Sequence, residues 1–154
     1  MIKYLLIIAS FILDFLILNY MNATYCFPMF TIVVIGLLYS FFKSRKEFDM
    51  VVIFLSLFYG LLFFNNLALG FFLFFVLKEI IVYFNDSNNM NLMRLLLLCS
   101  FLIIVFDALL YLFLFMPFSV FYLVDKILKS LLLNGAYVLV VYCVLSFVLK
   151  VDKT

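Results

Sequence analysis

Residues Val51–Phe84 read VVIFLSLFYGLLFF, then NNLALG, then FFLFFVLKEIIVYF, and this stretch decides the topology of the chain. No charged residue occurs from Val51 to Leu77. This uncharged stretch is longer than the roughly 20 residues that cross a bilayer once. The stretch therefore forms either one long membrane helix or a hairpin of two shorter ones. Asn65, Asn66 and Gly70 favour the hairpin, because Asn and Gly tolerate the backbone angles of a tight turn.

The composition is that of an integral membrane domain. The chain has 154 residues, of which 71% are hydrophobic and 12% are charged, whereas a soluble domain is about half apolar and a quarter charged. We expect a single polytopic membrane domain over residues 1–154. A net charge of +2 gives no indication of nucleic-acid binding. Residues 1–20 carry Asp14 and lack a small-x-small cleavage site, so they are interpreted as a retained helix and not as a signal peptide.

Hydropathy predicts an all-α bundle of six transmembrane helices. The segment 118–130 is apolar except for Asp125, Lys126 and Lys129. It is interpreted as an interfacial helix between helices 5 and 6, or as an extension of those two helices. Asp125 and Lys129 are spaced to pair on one helix face. The predicted spans are approximately 4–20, 27–42, 51–64, 69–84, 95–116 and 131–149.

The distribution of Lys and Arg distinguishes six spans from five. With six spans and a cytoplasmic N-terminus, eight basic residues lie inside and only Lys126 and Lys129 lie outside. With five spans, six basic residues lie inside and four lie outside. Cytoplasmic loops carry an excess of Lys and Arg, so six spans with both termini cytoplasmic are favoured. The eight inner residues are Lys3, Lys43, Arg45, Lys46, Lys78, Arg94, Lys150 and Lys153.

Several polar residues fall inside the predicted spans. A charged side chain at the centre of a bilayer costs about 2.5–3.5 kcal/mol on insertion scales, so such residues usually face the bundle interior or a partner. Helix rise places Asp14 and Lys78 at depths that allow an ion pair; the alternative is that Lys78 snorkels to the headgroups beside Glu79. Asp107 and Asn134 are level, which predicts a hydrogen bond between them or a shared contact with a partner helix.

Small residues recur at four-residue spacing, as in Gly36 with Ser40 and Ser56 with Gly60. Such pairs allow helix backbones to approach closely, and we expect Gly60 to pack internally instead of docking a foreign helix. Serines within helices are expected to donate hydrogen bonds to their own backbone. These serines are Ser10, Ser56, Ser100 and Ser146.

The sequence offers no pattern typical of catalysis. No nucleophile lies beside a base, and the acidic residues form no close pair in sequence. Histidine is absent and Cys26, Cys99 and Cys143 are scattered, which argues against a zinc or haem site. The cysteines are interpreted as buried free thiols. We expect a protein that is not an enzyme and has no cofactor and no small-molecule substrate.

The chain resembles the MreD family of bacterial rod-shape-determining membrane proteins. The family has a helix ending in a G-L-L-x-D-type segment, a short outer turn and an L-G that opens the next helix. The corresponding residues are Tyr59-Gly60-Leu61-Leu62, Asn65-Asn66 and Leu69-Gly70. The family's aspartate after G-L-L is missing, and Pro28-Met29 stands where the family often has Pro-Asp. The size, the six spans and an early Asn134 in the last span are further similarities.

The resemblance implies a non-enzymatic scaffold of the bacterial cytoplasmic membrane. MreD-like proteins pair with the bitopic protein MreC and link the MreB cytoskeleton to peptidoglycan synthases. Membrane lipid is the other expected partner, and Lys43, Arg45 and Lys46 are interpreted as ordinary topogenic charge or as contacts with anionic lipid or an acidic partner. Predicted contacts with an extracytoplasmic partner domain are Asn65, Asn66, Gly70, Asp125, Lys126 and Lys129.

The alternative function is that of a substrate-binding S component of an energy-coupling-factor vitamin transporter, which is also a small six-helix bundle. Such a protein needs an outward cavity with polar groups that recognise the vitamin. The candidate polar groups on the outer side are Asn22, Thr24, Asn65, Asn66 and Asp125. A purely structural or lipid-handling subunit is a third class.

Overall fold

The computed structural model describes residues 2–20, 28–85, 92–113 and 120–151. Over these ranges the chain is helical and contains no strand, as the sequence predicts. A 3₁₀ turn, Tyr39–Phe41, follows the second helix. The six helices are α1 (Ile2–Tyr20), α2 (Phe30–Leu38), α3 (Arg45–Leu62), α4 (Leu67–Asn85), α5 (Leu92–Phe113) and α6 (Val120–Val151).

Among the described residues, four helices are long and apolar enough to cross a membrane: α1, α4, α5 and α6. They coincide with the predicted spans 4–20, 69–84, 95–116 and 131–149, although residues 114–116 lie outside the described part. The other two predicted spans, 27–42 and 51–64, fall at α2 and α3, which are not among these four helices. Helix α2 and its 3₁₀ turn cover only Phe30–Phe41, and α3 begins with a charged turn.

The helices belong to two compact units. The first unit contains α1, α5, α6 and α2 as far as Leu37. The second contains the 3₁₀ turn, α3 and α4. All nine residues of α2 are buried, which fits a helix that is apolar on every side.

Helices α3 and α4 form the hairpin that the sequence predicts. Asn65 adopts a left-handed backbone with φ of 48°, a conformation that Asn tolerates better than most residues. The amide of Asn66 donates to the carbonyl of Gly60 at 2.8 Å, and its side-chain Oδ1 accepts from the amide of Leu69 at 3.2 Å. Asn65 therefore reverses the chain, and Asn66 closes the end of α3 and caps the start of α4.

The two helices of the hairpin make backbone contact at a pair of glycines. A Cβ built on Gly70 would lie 2.7 Å from the Cα of Gly60 and 2.6 Å from the carbonyl oxygen of Ser56. No side chain larger than hydrogen fits at Gly70 without separating the helices. Gly60 thus packs against its own hairpin partner, as small residues do where helices approach closely.

Helix α3 begins at Arg45, six residues before the predicted start of its span at Val51. The hydroxyl of Ser44 accepts a hydrogen bond from the amide of Glu47 at 3.2 Å, and the Glu47 carboxylate accepts one from the amide of Lys43 at 2.8 Å. A serine followed three residues later by a glutamate is a helix-start signal. Hydropathy alone missed it because the first turns of α3 are charged.

The segment 118–130 is not a separate interfacial helix over the part that is described. Residues from Val120 onward form the first turns of α6, which runs unbroken for 32 residues to Val151. At 1.5 Å per residue α6 is about 48 Å long, more than the roughly 30 Å of a hydrocarbon core. The predicted ion pair between Asp125 and Lys129 forms on its exposed surface, and i,i+4 pairs of this kind favour continuous helix.

Candidate functional site

The start of α2 is the point where buried polar groups of the first unit converge. The first amides of a helix have no partner within the helix. Met29 is the N-cap residue of α2, because its carbonyl accepts the first helical hydrogen bond, from the amide of Val33 at 3.0 Å. The Met29 thioether is a poor acceptor and cannot cap the helix itself. The acceptors have to come from elsewhere in the fold.

The carboxylate of Asp14, on α1, supplies acceptors for two of these amides. Its Oδ1 accepts a hydrogen bond from the amide of Phe30 at 2.8 Å. Its Oδ2 accepts from the amide of Thr31 at 2.9 Å and from the Thr31 hydroxyl at 2.6 Å. Asp14 is fully buried, and its negative charge lies at the positive end of the α2 dipole. This arrangement explains how an aspartate is accommodated in an apolar helix.

Asn134 of α6 accepts from a further amide at this helix start. Its Oδ1 accepts from the amide of Met29 at 2.7 Å, and its Nδ2 donates to the carbonyl of Ser130 at 2.8 Å. Because the oxygen faces a donor and the nitrogen faces an acceptor, the orientation of this buried amide is fixed by its surroundings.

A third contact joins α1 to α6 beside the same helix start. The Ser10 hydroxyl lies 2.9 Å from the Tyr137 hydroxyl, and the Tyr137 ring lies 4.2 Å from the Phe30 ring between centroids. We call this set of residues the α2 cap cluster. Its members are Ser10, Asp14, Met29, Phe30, Thr31, Asn134 and Tyr137. In chemical terms the cluster fixes three helices to one another through a single helix terminus.

The predicted hydrogen bond between Asp107 and Asn134 is wrong. The amide of Asn134 is directed at Met29 and Ser130 instead. Asp107 is buried on α5, and within the described part of the chain neither of its carboxylate oxygens has a hydrogen-bond partner. The Ser130 hydroxyl and the Lys126 ammonium, both on α6, lie near this carboxylate, although neither forms a hydrogen bond of normal geometry with it. Helix rise placed the two residues at one level but says nothing about the direction in which each side chain points.

The sequence left two arrangements open for Lys78, an ion pair with Asp14 or a position beside Glu79, and the structure shows Lys78 beside Glu79. Lys78 of α4 forms ion pairs with Asp49 of α3 at 3.2 Å and with Glu79 at 3.3 Å. Glu79 in turn lies 3.9 Å from the Arg45 guanidinium. We call Arg45, Asp49, Lys78 and Glu79 the hairpin charge cluster. Asp49 lies before the predicted span, which begins at Val51, so hydropathy gives no indication of this partner.

The residues predicted to contact an outer partner differ in their exposure. Asn65 and Asn66 are exposed in the turn of the hairpin, and Asp125 and Lys129 are exposed on α6. Lys126 is half-buried. Gly70 is buried against Gly60, so its predicted role as a contact is replaced by a packing role. Asn22 and Thr24, named above for the transporter hypothesis, lie outside the described residues.

The serines behave as predicted. Ser10, Ser56 and Ser100 donate to the carbonyls of Leu6, Ile53 and Leu96, at 2.6, 2.7 and 2.8 Å. Ser146 donates to the carbonyl of Cys143 at 2.7 Å. Each satisfies its hydroxyl within its own helix, which is the usual solution in an apolar environment.

The cysteines follow the prediction only in part. Cys99 is buried, Cys143 is exposed and both are free thiols; Cys26 lies outside the described residues. Across the ranges that the structure describes, no three His, Cys, Asp or Glu side chains are grouped as metal ligands would be.

Sequence reasoning missed Thr31 and Tyr137 as members of the α2 cap cluster. Thr31 gives a weak signal, since it is the first polar residue after Pro28 and a helix often starts near such a proline. Tyr137 gives none, because a tyrosine in an apolar helix is equally suited to the lipid interface.

Comparison of the chain with protein-family models, with curated proteins and with solved structures finds no match. Support for a function therefore comes from the sequence and from the geometry of the two clusters.

Proposed function

We propose that this chain is a non-enzymatic scaffold subunit of the bacterial cytoplasmic membrane. The observation that carries the proposal is the capping of α2 by Asp14, whose carboxylate accepts three hydrogen bonds from Phe30 and Thr31. A buried charge is expensive in an apolar helix, and here it holds one helix to the next. A rigid arrangement of helices is what a protein needs if its role is to present fixed surfaces to other subunits.

The proposed topology has six segments in the lipid and both termini in the cytoplasm. The charged end of the hairpin, with Lys43, Arg45 and Lys46, then faces the cytoplasm, and the Asn65–Asn66 turn faces outward. The excess of Lys and Arg on one side supports this orientation. Helix α4 has 19 residues, or about 28 Å, which matches one crossing of the hydrocarbon core.

The proposed partners are those that the resemblance to MreD implies. A bitopic MreC-like protein would contact the outer side of the bundle, and the complex would connect MreB to peptidoglycan synthases. In the proposed topology the exposed side chains of Asn65 and Asn66, together with the Asp125–Lys129 pair, lie on the extracytoplasmic side. These residues offer polar contacts to an extracytoplasmic domain.

The test is to purify the protein from its native membrane in a mild detergent and to identify the proteins and small molecules that accompany it. A bitopic subunit with an extracytoplasmic domain supports the proposal. A coupling ATPase complex or a bound vitamin overturns it in favour of a transporter S component.

A matched pair of variants tests the predicted contact surface. Asn65→Gly removes an exposed side chain but keeps the left-handed backbone, and we expect it to weaken recovery of the partner. Gly135→Ala on α6 is the control. Equal recovery from both variants would remove the hairpin turn from the proposed surface.

A further inference from the structure

The hairpin carries an open groove between α3 and α4 whose lining is mainly apolar. The groove has a volume of about 440 Å³, within the range of about 300–1,000 Å³ that is typical of small-molecule sites. Val52 and Ile53 of α3 form one wall. The opposite wall consists of phenyl rings of α4, namely Phe71, Phe72, Phe74 and Phe75.

One end of this groove is charged. Asp49 and Lys78 line it there and form an ion pair at 3.2 Å. The Lys78 ammonium also lies 5.2 Å from the centroid of the Phe75 ring, so its stem follows the aromatic wall. Arg45 lies one turn before Asp49, and its side chain is 58% exposed. The groove therefore changes from phenyl rings to a charged mouth over about two turns of helix.

Arg45 adjoins this end of the groove through Glu79, which lies 3.9 Å from the Arg45 guanidinium and 3.3 Å from the Lys78 ammonium. Lys43, Arg45 and Lys46 are exposed. An anionic group at the mouth is therefore met by exposed cationic side chains.

We infer that the groove binds one acyl chain of an anionic phospholipid, whose phosphate lies beside Arg45 and Lys46. Phenyl and aliphatic walls suit a hydrocarbon chain, and the guanidinium of Arg45 suits a phosphate oxygen. Ile53 is 52% exposed and Phe75 is 60% exposed, so the groove opens sideways, as entry of a lipid tail requires.

The dimensions favour a single chain over a helix of another protein. From Phe71 to Lys78 the groove extends about 10 Å along the helix axis. A helix segment of that length, at about 10–12 Å in diameter, would need more than the available 440 Å³. A free phosphate would leave the aromatic wall without a contact. A phospholipid supplies a group for each end of the groove, an acyl chain for the aromatic wall and a phosphate for the basic residues at the mouth.

The test is native mass spectrometry of the full-length protein in detergent, titrated with phosphatidylglycerol and, separately, with phosphatidylcholine. Ile53→Trp places a large side chain in the groove, and we expect it to lower the affinity for phosphatidylglycerol about tenfold. Leu61→Trp is the matched control, because Leu61 is also on α3 and is 58% exposed but does not line the groove.

A second pair of variants tests the mouth. We expect the double change Arg45→Gln and Lys46→Gln to remove the preference for phosphatidylglycerol over phosphatidylcholine. Lys129→Gln on α6, which removes an exposed positive charge elsewhere, should keep that preference. Equal binding of both lipids by the unaltered protein would overturn the anionic assignment.

Two further outcomes would overturn the groove itself. One is undiminished binding by Ile53→Trp, and the other is binding of glycerol phosphate as strongly as of the intact lipid. If Ile53→Trp does not fold, a phosphatidylglycerol with a photoreactive acyl chain replaces it, and crosslinks outside α3 and α4 count against the inference. These readouts need no protein partner, so failure of the scaffold proposal would leave them unaffected.

Discussion

Thr31 donates two hydrogen bonds to a single oxygen, Oδ2 of Asp14, through its amide at 2.9 Å and its hydroxyl at 2.6 Å. Replacing Asp14 by Leu leaves these donors and the amide of Phe30 buried without an acceptor. An unsatisfied buried donor costs about 1–3 kcal/mol. We expect Asp14→Leu to lower the free energy of unfolding by several kcal/mol, measured by thermal unfolding in detergent with circular dichroism.

Two variants with smaller expected losses of stability serve as comparisons for Asp14→Leu. Thr31→Val removes only the hydroxyl and should lose about 1 kcal/mol. Asp125→Asn removes an aspartate from an exposed pair on α6, for which a loss of at most about 1 kcal/mol is expected. If Asp14→Leu unfolded at the same temperature as Asp125→Asn, the capping role assigned to Asp14 would be refuted.

We expect substitution of Asp107 to have the opposite effect on stability. Both of its carboxylate oxygens are buried without a hydrogen-bond partner among the described residues. A buried polar group without a hydrogen-bond partner costs about 1–3 kcal/mol, and an apolar side chain of similar size avoids this cost. We expect Asp107→Leu to be at least as stable as the unaltered chain in the same unfolding measurement. A large loss of stability would mean that the carboxylate has a partner in the membrane.

The glycine pair of the hairpin predicts a sharp contrast between two identical substitutions. Gly70→Ala places a methyl group against the backbone of Gly60 and Ser56, and overpacking of this kind costs about 1–3 kcal/mol or more. At Gly135, no atom of the described residues lies within 4 Å of an added Cβ. Gly135→Ala should therefore raise helix stability by about 0.5–1 kcal/mol. Thermal unfolding of the two variants side by side makes the comparison, and equal shifts would contradict it.

The ion pair between Asp49 and Lys78 predicts energetic coupling. The Lys78 side chain is only 16% exposed, so removing Asp49 alone leaves a largely buried ammonium with Glu79 as its remaining partner. In a double-mutant cycle with Asp49→Leu and Lys78→Met, we expect a coupling free energy of about 0.5–3 kcal/mol. The same cycle on the exposed pair Asp125 and Lys129 should give about 0.3–0.5 kcal/mol. Equal coupling in the two cycles would show that burial adds nothing to the first pair.

The hairpin and the four long helices could be predicted because their signals are local. An uncharged stretch too long for one crossing, interrupted by Asn65 and Asn66, defines two helices and a turn without reference to other parts of the chain. The signal for the start of α3 is equally local and consists of Ser44 and Glu47. Hydropathy, however, gives no weight to a capping pair.

The partners of the buried polar residues could not be predicted in the same way. Helix rise gave the depth of Asp14, Asp107 and Asn134, but the rotation of each helix about its axis depends on how the helices pack. Depth and charge favour a cationic partner for Asp14, whereas two of its three donors are backbone amides, which every residue except proline carries. A side chain that caps another helix leaves no pattern in its own sequence.

The capping of Met29 has a consequence for biosynthesis. Its acceptor, Asn134, is 105 residues further along the chain, whereas Asp14 lies only 16 and 17 residues before Phe30 and Thr31. During synthesis the amide of Met29 therefore lacks its acceptor until α6 has been made. In nascent chains that stop short of Asn134, the Met29 amide should remain accessible to water or to an insertion chaperone.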